Sequence, residues 1–128
     1  MVAADTNIVL RFILKDDPIQ SPLARDLIAS NKIFVPVTVM LEAEWALRRV
    51  YKLPKSDVVS ALTAILETET IQVDQADFVL AALELTERGV DFADALHLAS
   101  STQCDWLATF DKDFVKFAKG ATPPVRHP

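Results

Sequence analysis

Carboxylate is the chemistry this chain carries in quantity: Asp and Glu together number 18, against one Cys and two His. The most telling stretch is DFADALHLAS, where Asp91 and Asp94 stand in what otherwise patterns as the buried face of a helix. A charge taken out of water without a partner is costly, so acids beside an apolar stripe mark a helix end, an ion pair or a metal site. At about 100° per residue the two acids lie roughly 60° apart around a helix, close enough to share one site. Two like carboxylates held together repel, and one takes up a proton unless a cation intervenes. Oxygen-only ligands select hard divalent ions, Mg²⁺ or Mn²⁺, which keep several waters and suit phosphate chemistry. Glu42 and Glu44 differ by about 200°, so only one of them can face a site while the other faces solvent.

Scarcity removes other chemistries. With Gly89 and Gly120 as the only glycines, neither a P-loop nor a dinucleotide-binding glycine fingerprint can be built. Cys104, His97 and His127 cannot make a four-ligand Cys/His zinc site.

The elements that must position the acids can be read in order. VAAD patterns as a short buried strand ending at Asp5. After a turn at Asp16–Pro18, Leu23, Leu27 and Ile28 predict a helix over Ser21–Ser30, and IFVPV predicts the second strand. Thr38 is expected to cap the helix TVMLEAEWALRRVYK, and Ser56 one that runs through Leu66; TIQV is the third strand. A helix from Gln75 to Arg88 closes at Gly89. DFADALHLASSTQ is the next helix and DWLATF a fourth strand ending against Asp111; DKDFVKFAK and a Pro-rich tail follow. Strands alternating with helices predict an α/β fold with a doubly wound parallel sheet. Function in such sheets gathers at the carboxyl ends of strands, near a reversal of strand order. Asp5 and Asp111 fall at such ends, and Asp91 and Asp94 reach the same edge if Gly89 and Val90 bring the chain up to it. The four acids are then neighbours.

MVAADTN at the start, Glu42 in VPVTVMLEAEWAL, Asp94 in DFADALHLA and TFDKDF beyond it, taken together and in this order, resemble the PIN-domain ribonucleases, most closely the VapC-type toxins of bacterial toxin–antitoxin pairs. The resemblance covers essentially the whole chain and implies a single PIN-like domain over residues 1–128. It further implies a three-layer α/β/α fold with a four- to five-stranded parallel sheet flanked by helices. The implied activity is that of a Mg²⁺- or Mn²⁺-dependent endoribonuclease, cutting RNA with metal-activated water. The implied assembly is a homodimer silenced by a VapB-type antitoxin whose C-terminal segment covers the active-site groove. By motif position, Asp5, Glu42, Asp94 and Asp111 take the catalytic and metal-holding places, Glu42 directly or through water. Glu42 is preferred to Glu44 because Trp45 follows it three residues on, matching the family's bulky apolar residue. Thr6 and Asn7, Thr109, Asp91 and Asp113 take supporting places, steadying ligands or scissile phosphate or holding the metal through water.

Composition sets the bounds. The chain is 51% hydrophobic and 24% charged, as in soluble globular domains, and its lone Cys104 allows no internal disulfide and suits a cytoplasmic location. MVAADTN has no basic leader region, and no apolar run approaches the roughly 18 residues of a spanning helix, so neither secretion nor a membrane partner is expected. A net charge of −5 opposes broad attraction to nucleic acid, so bound cations would have to draw RNA in, helped by Arg11, Lys15, Arg48, Arg49, Lys52 and Lys55. Ordinary roles stand beside these: Asp91 as an N-cap, Asp94 as a first-turn acid on the helix dipole, Asp111 as a turn residue. His97 reads as a core or groove-edge residue, Cys104 as a small buried hydrophobe, and the aromatics as core and interface, with room for one exposed ring near the groove to stack on RNA. Two rival functions remain, a catalytically silent PIN-like binding module and a Mg²⁺-dependent phosphatase or phosphotransferase. The latter needs a second acid beside its nucleophile, where MVAADTN offers Asp5 alone.

Overall fold

Apolar runs of two or three residues make strands of that length, and parallel pairing then obliges a crossover between each pair. In the computed structural model, which describes residues 1–128, β1 (Val2–Ala3), β2 (Ile33–Val35) and β3 (Ile71–Val73) pair in parallel in that order. Val2 lies opposite Ile33 and Ile33 opposite Ile71. The crossovers are helix pairs, α1 (Thr6–Leu14) with α2 (Gln20–Ser30), and α3 (Val37–Arg49) with α4 (Lys55–Glu67). These elements form one compact unit, Met1–Ala76. Its helices pack on one another and α4 packs on β3, burying Ile33, Val35, Met40, Leu47, Leu62 and Ile65.

The second compact unit, Asp77–Pro128, holds α5 (Ala76–Glu87) almost whole, with α6 (Phe92–Ala99) and α7 (Lys112–Phe117). β4 (Leu107–Ala108) pairs in parallel with β5 (Val125–Arg126). Val79, Leu83, Phe92, Ala95 and Leu98 are its buried side chains along α5 and α6. Gly89 makes the turn between those helices at φ +109°, a left-handed conformation that side chains resist, and a Cβ there would press on the Phe117 ring at 3.2 Å. No helix is long and apolar enough to cross a membrane.

The parallel α/β architecture with flanking helices is the one the sequence predicts, with differences of detail. The five strands divide as three and two, and the order β1-β2-β3 contains no reversal. Thr38 and Ser56 lie inside their helices; Pro36 and Pro54 hold the N-cap positions, with no side-chain cap bond. Their ring-fixed φ near −60° starts the helix, and their carbonyls accept from Val39 and Met40 and from Asp57 and Val58. α1 begins directly after Asp5, and its helical signal is a thin polar stripe, Asn7, Arg11 and Lys15 at four-residue spacing, in an otherwise apolar run that is assigned no element from the sequence alone. β5 lies in the Pro-rich tail, held by Leu107 N donating to Pro124 O at 2.8 Å and Thr109 N to Arg126 O at 3.0 Å. Cys104 is exposed in the turns after α6 rather than buried.

Two arginines expected to face solvent are committed inward. Arg48 donates from Nε and Nη2 to Glu44 at 2.9 and 3.2 Å, and Glu44 is only 4% exposed. The solvated glutamate of the pair is therefore Glu42, and Glu44 is the buried one. Arg11 pairs with Asp16 at 3.0 Å, donates to the Tyr51 hydroxyl and lies over the Tyr51 ring, tying α1 to the loop after α3.

Breaking a buried ion pair strands a charge, and with Arg48 partly exposed the loss for Glu44→Ala should be about 1–3 kcal/mol, while Glu42→Ala stays within about 0.5 kcal/mol. Urea unfolding of the two variants reads this directly; equal effects would refute the division of roles between the glutamates.

Candidate active site

In the first unit, Asp5 follows buried Ala4 and stands as the N-cap of α1. Its backbone is extended, and Oδ1 accepts from Ile8 N at 3.2 Å, one of the donors that a helix start leaves without an intrahelical partner. One carboxylate oxygen is thus tied to the backbone while the side chain remains exposed. Asp5 and Asn7 line a groove of about 550 Å³ together with Ile8, Arg11 and Leu23. Thr6 is the first residue of α1 and half-buried, and neither its hydroxyl nor the Asn7 amide is used in a hydrogen bond within the chain. Glu42 is exposed in the second turn of α3.

In the second unit, Asp111 repeats the construction of Asp5. It is the N-cap of α7, with Oδ1 accepting from Asp113 N at 2.9 Å and Phe114 N at 3.1 Å. Its own backbone N donates to Thr109 Oγ1 at 3.1 Å, so Thr109 orients the residue that caps the helix. Asp113 is exposed in the first turn of that helix. Asp91 holds the N-cap position of α6, but its side chain makes no cap bond, so capping does not account for that carboxylate.

Asp94 lies in the first turn of α6, half-buried. Burial pushes its carboxyl above the usual 3.8, and the like charges of Asp91 and Asp111 push it further, with His97 pulling weakly the other way. The cause matters more than the direction: Asp91 and Asp111 each lie within electrostatic reach of Asp94. His97 is exposed, not a core residue.

The donors fit a hard divalent cation. All are carboxylate oxygens, and Asp111 spends only one oxygen on its cap. No group of three or more His, Cys, Asp or Glu side chains is gathered closely enough to hold one ion together, so the four acids expected as neighbours do not form a ready-made cluster. A small ion that keeps most of its waters asks for one or two carboxylates rather than a cage, which is the habit of Mg²⁺ and Mn²⁺.

The model of the PIN domain matches residues 2–120, across β1 through α7, and the chain belongs to the PIN-domain family. PIN domains are typically metal-dependent nuclease domains and act on RNA. No individual curated protein matches the chain.

Phe110, adjacent to Asp111, is 79% exposed and Trp106 is 41% exposed, so two aromatics stand outside the core that most of them were expected to fill, where the sequence allows one exposed ring near the groove. Alternation along DWLATF was the available signal, since it places Trp106 and Phe110 on one face and Leu107 on the other.

A carboxyl whose folded pKa is raised stabilises the fold fully below its unfolded pKa, near 3.8, and loses that contribution as pH rises through the folded value. In EDTA, the melting temperature of Asp94→Asn relative to the parent should therefore become more favourable as pH rises from acid to neutral. Thermal melts across that range check it, and a difference that moves the other way would contradict the electrostatic account.

Proposed function

We propose that this protein is a Mg²⁺- or Mn²⁺-dependent endoribonuclease and the toxin half of a type II toxin–antitoxin pair, with residues 1–128 as one PIN-like domain. The observation that carries the reading is Asp94, a half-buried carboxylate at a helix start with Asp91 and Asp111 acting on it as like charges. Held without a counter-charge this arrangement only destabilises the fold, and a bound cation reverses that sign.

Asp94 and Asp111 are assigned to hold the ion, with Asp5 and Glu42 filling the remaining acidic places that the family motif gives them. A divalent ion in such a set supplies neutralisation of phosphate charge and a water of lowered pKa. The protein's own contribution is rigidity. Ile8 N fixes Asp5, and Asp113 N and Phe114 N fix Asp111. Thr109 sets the backbone of Asp111, and the uncommitted Thr6 hydroxyl and Asn7 amide are donors suited to a scissile phosphate. Asp91 and Asp113 are assigned to water-mediated contacts. The family resemblance supplies the rest: an RNA substrate, a VapB-type protein antitoxin, a homodimer and a cytoplasmic setting.

Asn keeps the capping oxygen of Asp but removes the charge, so Asp5→Asn and Asp111→Asn should fold like the parent. Each of them, and Asp94→Asn, should lower Mn²⁺-dependent cleavage of a labelled RNA by about 10³-fold or more, and Glu42→Gln by about 10- to 100-fold. Mn²⁺ should raise the melting temperature of the parent and leave that of Asp94→Asn unmoved. Hydrolysis of a small phosphomonoester with RNA left intact would replace this reading by the phosphatase. Absence of both cleavage and a metal-induced rise in melting temperature would replace it by the silent binding module.

A further inference from the structure

The two-stranded sheet of the second unit leaves one face in solvent. Residues alternate faces along a strand, and paired residues of neighbouring strands share a face. Leu107 pairs with Val125, which is buried, while Ala108 pairs with Arg126. The opposite face therefore carries Trp106, Ala108, Phe110 and Arg126, all of them exposed. Phe110 is the most exposed large apolar side chain of the chain at 79%. Neither ring hangs loose. His127 meets Phe110 edge to face, with centroids 5.4 Å apart and planes at 73°, and the Arg126 guanidinium lies 5.9 Å from the Trp106 ring.

Two exposed rings steadied by polar neighbours contribute little to a core, and the chemistry they share is stacking. The low Ala108 side chain between them keeps the face open. The face carries the Arg126 cation and no acid, in a chain of net charge −5. Phe110 immediately precedes Asp111 in the chain, which keeps this face next to the acidic residues. Arg126 and His127 lie beyond residue 120, outside the part of the chain matched by the family model, so the cation of this face and the partner of the Phe110 ring belong to this chain's own tail.

We propose that Trp106, Phe110 and Arg126 form a stacking platform for unpaired bases of single-stranded RNA, feeding the phosphodiester to Asp111 and Asp94. The inference deepens the nuclease reading and rests on it for the identity of the ligand.

The test is fluorescence anisotropy of the full chain with a labelled, unstructured RNA of about 12 nucleotides in EDTA, where no metal-dependent cleavage occurs. Phe110→Ala and Trp106→Ala should each weaken binding about 5- to 100-fold, Phe110→Trp should restore it, and the same RNA as a duplex should bind at least about tenfold more weakly. Both rings are exposed, so thermal melts of the alanine variants should follow the parent. Alanine variants that bind within about twofold of the parent, or equal binding of the duplex, would overturn the platform. So would a change in oligomeric state of Phe110→Ala, seen by light scattering with RNA affinity intact, because the face would then be an interface between copies. Failure of the two readings is distinguishable: Phe110-dependent binding without Mn²⁺-dependent cleavage removes the nuclease and keeps the platform. Cleavage with binding indifferent to Phe110 does the reverse.

Discussion

A carboxylate can be rigid and still present an oxygen to solvent only if its other oxygen is tied to something that does not move. The start of a helix supplies that tie, because its first backbone N–H groups have no partner within the helix. Asp5 and Asp111 are both built this way, each following a strand and each giving one oxygen to the backbone of the helix it opens. Much of the local structure follows from this device: short strands that bring the chain to a helix start, Thr109 bonded to the backbone of Asp111, and the extended backbone of Asp5. Asp94 is held differently, by the apolar face of α6, where Phe92, Ala95 and Leu98 are buried and leave the carboxylate half in and half out of water.

Charge is distributed by the same logic of partners. Glu44 and Arg48 satisfy each other under the surface, and Arg11 is engaged with Asp16 and Tyr51. Two cations that a linear reading offers to RNA are thereby withdrawn, while Arg126, in a tail without obvious pattern, lies on an exposed face beside Trp106. An acidic protein of net charge −5 that handles RNA must place its few attractive features locally. Bound divalent ions and aromatic faces both meet that demand without altering the overall charge.

Much of the secondary structure was legible because it rests on local rules. Gly89 ends its helix as its type suggests, and the apolar spacing in α3, α4 and α6 is that of helices with one buried face. Where those rules compete, the reading slipped. Thr38 and Ser56 are good caps by type, yet Pro36 and Pro54 lie two residues earlier and start the helices through fixed φ. In α1 the helical signal is only a thin polar stripe, Asn7, Arg11 and Lys15, within an apolar run, and β5 is illegible because its two residues make a strand only through their pairing with β4.

The sequence by itself determined the family: an excess of carboxylate over Cys and His, set in motifs that resemble the PIN domain, and the PIN-domain match over residues 2–120 bears that family out. Only the tertiary structure decided which charges are committed and which are open. Glu42 and Glu44 are the same residue type two positions apart, and helix geometry says only that they point different ways. Which direction is the interior, with Arg48 there to meet the charge, depends on what packs against α3. The exposure of Phe110 and the influence of Asp111 on Asp94 are of the same kind, since each depends on groups that only folding arranges.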